Sequence, residues 1–153
     1  MSNENPENSS WFTLMSHAVE SGQLTEAAAA NIKIWLEEPR YHSYREQVIE
    51  HLHRGDWKTL DDVFWTIIPF GTGGRRGRMY PIGCNAINDR TIGESAQGLA
   101  NYINELELSS PKACAIAYDT RINSRHFAEL CAGIMVANGF KVYFLDDYRS
   151  TPE

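Results

Sequence analysis

The sequence predicts an α/β protein, with a helical N-terminal segment followed by a partial three-layer α/β domain containing βαβ units and a mostly parallel sheet. Three observations predict it. Apolar residues recur at helical spacing through residues 11–66. From residue 66 onward, short apolar runs alternate with amphipathic stretches, so the period switches between that of strands and that of helices. Near the junction, residues 70–77 read Phe-Gly-Thr-Gly-Gly-Arg-Arg-Gly, a stretch of four glycines and two adjacent arginines.

The elements follow in chain order. Residues 1–10 are rich in Asn, Ser and Glu and are expected to be disordered. In the helical segment 11–66, Ala28, Ile32, Trp35 and Leu36 share one helical face, and Pro39 ends that run. Ser43-x-x-Glu46 has the capping-box pattern ahead of Val48 and Leu52, with Gly55 as the stop. Asp56 opens a further short helix holding Leu60, Val63 and Phe64. This half carries four of the five histidines and all four tryptophans, yet shows no site. His51-x-His53 on a helix points its rings to different faces, which favours a solvated helix surface over a metal pair. The tryptophans read as core or docking surface.

The α/β domain is expected over 67–153. Thr91-x-x-Glu94 is a second capping box, opening a helix whose Ile92, Ala96, Leu99, Ile103 and Leu106 form an apolar stripe. Ala113 to Tyr118 reads as a buried strand. Asn123 can cap the next helix, where Phe127, Leu130, Cys131 and Ile134 face inward and Gly139 ends it. Lys141 to Leu145 is a second buried strand, completing a βαβ unit. Ligands of open parallel sheets sit beyond the carboxyl ends of the strands, where Asp119 and Arg121 fall.

Composition bounds the function. A chain of 153 residues, 42% hydrophobic, can bury one modest core. A net charge of −6 argues against a general nucleic-acid or acidic-membrane surface, which makes Arg75, Arg76 and Arg78 a local exception. Three cysteines (Cys84, Cys114, Cys131) without a Cys-x-x-Cys pair fit a reducing cytoplasm, Cys114 and Cys131 reading as small buried hydrophobes. No signal peptide is expected, and the apolar runs are too short to span a bilayer.

The glycine–arginine stretch carries the chemistry. Glycines allow positive φ and close approach of backbone N–H groups to a ligand, and arginine offers a planar fork to phosphate oxygens. A P-loop would require Lys-Ser/Thr after Gly77, where Arg78-Met79 stands, and a dinucleotide fingerprint would require a third glycine where Arg76 stands. Thr72, the backbone of Gly73 and Gly74, and Arg76 can nevertheless bind a phosphate and neutralise charge during its transfer.

Further segments extend the pattern: Asn88-Asp89-Arg90-Thr91-Ile92, Gln97-Gly98-Leu99-Ala100, the run from Ala117-Tyr118-Asp119-Thr120-Arg121 to Arg125, and Ser150-Thr151-Pro152-Glu153. In this order and spacing the chain resembles the first domain of the α-D-phosphohexomutases, which include phosphoglucomutases, phosphomannomutases and phosphopentomutases. The resemblance covers about residues 60–153. It extends loosely upstream, where Trp35-Leu36 and Ile49-Glu50-His51-Leu52 look like the helical lead-in of the phosphoglucomutase and phosphopentomutase branch. It implies a reaction in which a phosphoserine donates its phosphoryl group to a sugar phosphate and a sugar bisphosphate intermediate returns the other, with Mg²⁺ in the full enzyme. It maps the family's loop arginine onto Arg76 and leaves the role of Arg75 open, since the family often has leucine there. Asp119 and Arg121 match the family's Asp-x-Arg and are expected to brace the active-site loops, a structural ion pair being the other reading.

One departure qualifies the resemblance. The family's Thr-Ala-Ser-His-Asn-Pro loop, which bears the nucleophile, does not occur in this sequence, and Ser16-His17 lacks the following Asn-Pro. The expectation is therefore a fragment of a larger mutase that is inactive alone, binds no metal itself and has neither nucleic acid nor membrane as partner. Its unpaired sheet edges should promote self-association. Two alternatives stay open: a non-catalytic module that binds a phosphorylated metabolite, and a nucleotide-binding α/β domain.

Overall fold

Burial in the N-terminal half follows the helical period of the sequence. The computed structural model describes residues 6–106 and 111–150. Helix α1 (Pro6–Glu20) buries Trp11, Met15 and Ala18. It includes residues 6–10, where disorder is expected from the sequence; residues 1–5 lie outside the described residues. Helix α2 (Glu26–Glu37) buries Ala28, Ile32, Trp35 and Leu36. The Thr25 hydroxyl caps it by accepting the Ala28 N–H at 3.2 Å. Glu38 takes the extended conformation that a following proline imposes, and a 3₁₀ turn covers Pro39–Tyr44.

Helix α3 (Arg45–Arg54) ends at Gly55, which adopts the left-handed conformation at φ 68°. Ser43 and Glu46 do not form the expected capping box. Ser43 lies inside the 3₁₀ turn, so the chain already runs helically through Tyr44 into α3 and makes no side-chain cap there. Helix α4 (Trp57–Phe64) follows Asp56 as expected and buries Leu60, Val63 and Phe64. The Asp61 carboxylate accepts both the N–H and the O–H of Thr25, at 2.8 and 2.7 Å, which fastens the start of α2 to α4. Trp35 stacks on Tyr41 at 4.6 Å and meets the edge of Phe64 at 5.3 Å. Full burial of each such side chain contributes about 1.5–3 kcal/mol.

The glycine stretch belongs to the same packed unit as these helices. Strands β1 (Phe70–Gly71) and β2 (Gly74–Arg75) form a short antiparallel hairpin. The segment after it is laced back: Ile68 N–H donates to Cys84 O and Asn85 N–H to Val63 O, each at 2.8 Å. The division between packed units accordingly falls after Asn88, beyond the change of period near residue 65.

The unit beginning at Asp89 is the expected βαβ arrangement. Helix α5 (Asp89–Glu105) precedes strand β3 (Ala113–Ile116), and helix α6 (Ser124–Ala137) crosses to strand β4 (Lys141–Phe144). The strands pair in parallel, Ala113 with Lys141 through Ile116 with Phe144. Cys114, Ile116 and Val142 pack on a small core of Ala100, Met135 and Phe140.

Several details differ from expectation. Helix α5 starts two residues before Thr91, which is therefore helical rather than a cap, while Glu94 pairs with Arg90 at 2.8 Å. Its fully buried positions are Thr91, Ala96 and Ala100, whereas Leu99 and Leu106 are exposed. Small residues decide this: a Cβ added at Gly93 would already stand 3.4 Å from Ile134, so α6 approaches along the Gly93–Ala96–Ala100 line. In α6 the buried residues are Ala128 and Met135, with Phe127, Leu130, Cys131 and Ile134 only half-buried. Asn123 precedes α6 in the left-handed conformation, φ 59°, and makes no side-chain cap. Neither strand is fully buried, nor is Cys114, because helices cover one sheet face while Ala113, Ala115, Ala117 and Tyr143 on the other are exposed.

Candidate functional site

The sequence-derived residues fall into two groups, one in each unit. In the hairpin, pairing of Gly71 with Gly74 leaves Thr72-Gly73 as a two-residue turn. Gly74 lies at φ 130°, a conformation that residues with a Cβ rarely adopt. A Cβ added at Gly73 or Gly74 would meet nothing within 4 Å, so a ligand can approach the backbone at both. Thr72 and Arg76 are exposed, and Arg76 makes no hydrogen bond or ion pair with any described residue.

Arg75 differs from its neighbour. It is half-buried, and its Nε and Nη1 are buried without an acceptor among the described residues. Such unsatisfied charged donors are costly.

Just after the hairpin the Arg78 guanidinium lies 4.9 Å over the Tyr80 ring. The Tyr80 hydroxyl is 2.6 Å from His51 Nε2, and His51 Nδ1 is 2.7 Å from Gln47 O. A carbonyl can only accept, which assigns a proton to Nδ1; in the neutral ring Nε2 then accepts from the hydroxyl. This corrects the expectation of a solvated His51: the ring is half-buried and ties α3 to the segment behind the hairpin. Its partner lies 29 residues away, so no local pattern could have signalled the contact.

The second group lines a cleft of ≈ 640 Å³ beyond the carboxyl ends of β3 and β4, floored by Ala115 and Ala117 and walled by Asp119, Arg121, Ser124 and Arg149. The Asp119 carboxylate accepts the Arg121 backbone N–H at 3.1 Å and its Nε–H at 2.7 Å, while the Asp119 N–H donates to Ser124 Oγ at 3.1 Å. The Arg121 backbone N–H is the chief cause that holds the Asp119 carboxyl below its usual range, helped by Ser124 and the Arg121 side chain. Asp119 and Arg121 thus do meet. Sequence reasoning missed Arg149, whose backbone N–H donates to Tyr118 O at 2.9 Å and places it on the cleft wall.

Other chemistry finds little support. Among the described residues no group of three His, Cys, Asp or Glu side chains could hold a metal ion. Burial raises the Cys131 thiol and makes it a poor nucleophile. No helix among the described residues is long and apolar enough to cross a membrane.

Comparison with known proteins identifies the family. The family described as phosphoglucomutase/phosphomannomutase, alpha/beta/alpha domain I, matches residues 68–153. The chain is 30% identical over 115 residues to the phosphoribomutase of Saccharomyces cerevisiae, covering 75% of this chain and 18% of the relative. It is 39% identical over 90 residues to a phosphoglucomutase of Staphylococcus haemolyticus, covering 59% and 16%. A probable phosphoribomutase of Schizosaccharomyces pombe is 31% identical over 119 residues, covering 77% and 20%. The chain therefore spans a fifth or less of the length of these relatives. No solved structure gives a significant match.

Proposed function

We propose that this chain, which belongs to the α-D-phosphohexomutase family through its first α/β domain, supplies part of an enzyme interconverting a sugar 1-phosphate and 6-phosphate, or the pentose equivalents. The observation that carries the reading is the family match over 68–153, with the glycine–arginine hairpin near its start.

The chain's own residues have defined tasks in this reading. The N–H groups around Gly73 and Gly74, with the Thr72 hydroxyl, bind phosphoryl oxygens where no side chain obstructs approach. Arg76, exposed and unpaired among the described residues, neutralises charge that develops as the phosphoryl group transfers. Asp119 holds Arg121 and so braces the strand-end loop. The phosphoryl group passes from a phosphoserine to the sugar phosphate, and the bisphosphate returns its other phosphoryl group to that serine. The serine loop is absent from these 153 residues, so this chain alone is inactive.

Magnesium would supply charge neutralisation at the transferring group. The residues present do not fit it: Asp119 is engaged by Arg121, and no ligand cluster occurs among the described residues. The three cysteines form no disulfide with one another, which supports a reducing cytoplasm as the place of action.

A coupled assay with glucose 1-phosphate, Mg²⁺ and a bisphosphate activator tests the reading on this chain and on the longest natural translation product containing it. The chain alone should give no turnover, and the longer product should give mutase activity. There, Arg76→Ala should lower kcat on the order of 10²-fold, with a smaller effect from Arg75→Ala. Turnover by the isolated chain would overturn the assignment. The missing serine loop favours one second reading, a non-catalytic module that binds a phosphorylated metabolite; phosphate binding with no turnover by any natural product would select it.

A further inference from the structure

We propose that the cleft beyond β3 and β4 binds the phosphoryl group of a small anion between Arg149 and Arg121, with Arg149 as its principal cationic donor. Only the choice of phosphate rests on the mutase reading.

The main chain fixes where Arg149 stands. Its N–H donates to Tyr118 O at 2.9 Å, beyond the last bond that continues the paired strands, Leu145 N–H to Ile116 O, and after a turn in which Asp147 takes φ 62°. That backbone bond to the segment following β3 holds Arg149 at the cleft wall. Its side chain is 34% exposed, and its two acceptors are poor. Nη1 reaches the adjacent Tyr148 O at 3.3 Å, and Nη2 reaches Asp146 at 3.5 Å. Charge-assisted bonds of full strength run near 2.7–2.9 Å, and the Asp146 side chain is fully solvated. The Arg149 fork thus keeps donors and charge for another acceptor.

The rest of the lining suits an anion. Asp119 is committed to Arg121 through Nε, which orients the Arg121 fork and leaves its two Nη groups without an acceptor among the described residues, on an exposed side chain. Ser124 Oγ accepts from the Asp119 N–H, and its hydroxyl also steadies the Asp119 carboxylate, so Ser124 holds the turn that presents Arg121 to the cleft. Arg125 is paired with Glu129 at 2.8 Å and does not line the cleft. With Asp119 and Arg121 offsetting each other, Arg149 gives the described lining a net positive charge, its solvated partner Asp146 lying outside that lining, and a phosphoryl group with two or more oxygens matches the paired forks.

NMR of this chain tests the proposal through the Arg Nε–H signals and the Ser124 amide, during titration with inorganic phosphate and, separately, glucose 1-phosphate. Both ligands should shift Arg149, Arg121 and Ser124. Arg149→Ala should weaken that binding at least tenfold, Arg149→Lys should weaken it less, and Arg125→Ala should leave it unchanged. Shifts confined to residues 70–77, or an Arg149→Ala chain that binds equally well, would overturn the proposal. Wild-type shifts suffice to decide it should the alanine variant misfold, since their absence at Arg149 also overturns it. Glucose 1-phosphate shifts that spare Arg149, without any from inorganic phosphate, count against it as well. A mutase assay that fails while these signals move would reject the enzymatic reading and leave the cleft assignment standing.

Discussion

Gly83 shows how one residue can hold a fold locally. It lies at φ 102°, and a Cβ there would stand 2.4 Å from Val63 O and 2.6 Å from Val63 Cβ. Backbone strain and a backbone clash coincide, so Gly83→Ala should destabilise the chain by about 2–4 kcal/mol. Chemical denaturation would measure it, and a loss within 0.5 kcal/mol would mean the 82–85 segment shifts at little cost. Arg75 makes the opposite case. Its two buried donors lack an acceptor among the described residues, so Arg75→Leu removes the unsatisfied groups while leucine retains apolar contact. A gain of about 1 kcal/mol is expected, seen as a melting temperature higher by several degrees. A lower melting temperature would show that the guanidinium has found an acceptor.

At the scale of elements, the turn from β3 into α6 depends on one ionised carboxylate. Asp119 ties the backbone and side chain of Arg121, and its folded-state acidity lies below the ordinary value near 3.8. The sign follows from linkage: a depressed carboxyl contributes stability above its unfolded value and loses it as pH falls through the lower folded value. The Arg121 Nε–H signal should therefore stay constant from neutral pH down to about pH 4 and change only below it. A midpoint above pH 4 would contradict the bonding described, and Asp119→Asn should abolish the transition. Element boundaries were less legible than element types. Both expected capping boxes failed because neighbouring residues had already become helical, at Tyr44 in one case and Asp89 in the other.

For the whole molecule, the decisive feature is a two-stranded parallel sheet with helices on one face only. Among the described residues the outer edges of β3 and β4 have no strand partner, and Ala113, Ala115, Ala117 and Tyr143 are exposed. Unpaired edges and open apolar faces recruit other chains. The chain should therefore self-associate in a concentration-dependent manner in sedimentation velocity. A monodisperse monomer with a high melting temperature would show that these surfaces are covered in a way the pairing of β3 and β4 does not reveal.

What the sequence by itself determined was periodic or contiguous. The helical face of Ala28, Ile32, Trp35 and Leu36, the stop at Gly55, the parallel partnership of 113–118 with 141–145 and the glycine–arginine loop all depend on neighbours within one or two turns or on motif order. The family followed from the same kind of signal. Only the tertiary structure decided that Gly83 admits no Cβ, that His51 receives the Tyr80 hydroxyl, that Arg75 is partly buried while Arg76 is not, and that Arg149 joins Asp119 and Arg121. Each of these rests on packing or on contacts between residues distant along the chain. Such contacts arise when elements pack, and no local spacing encodes them.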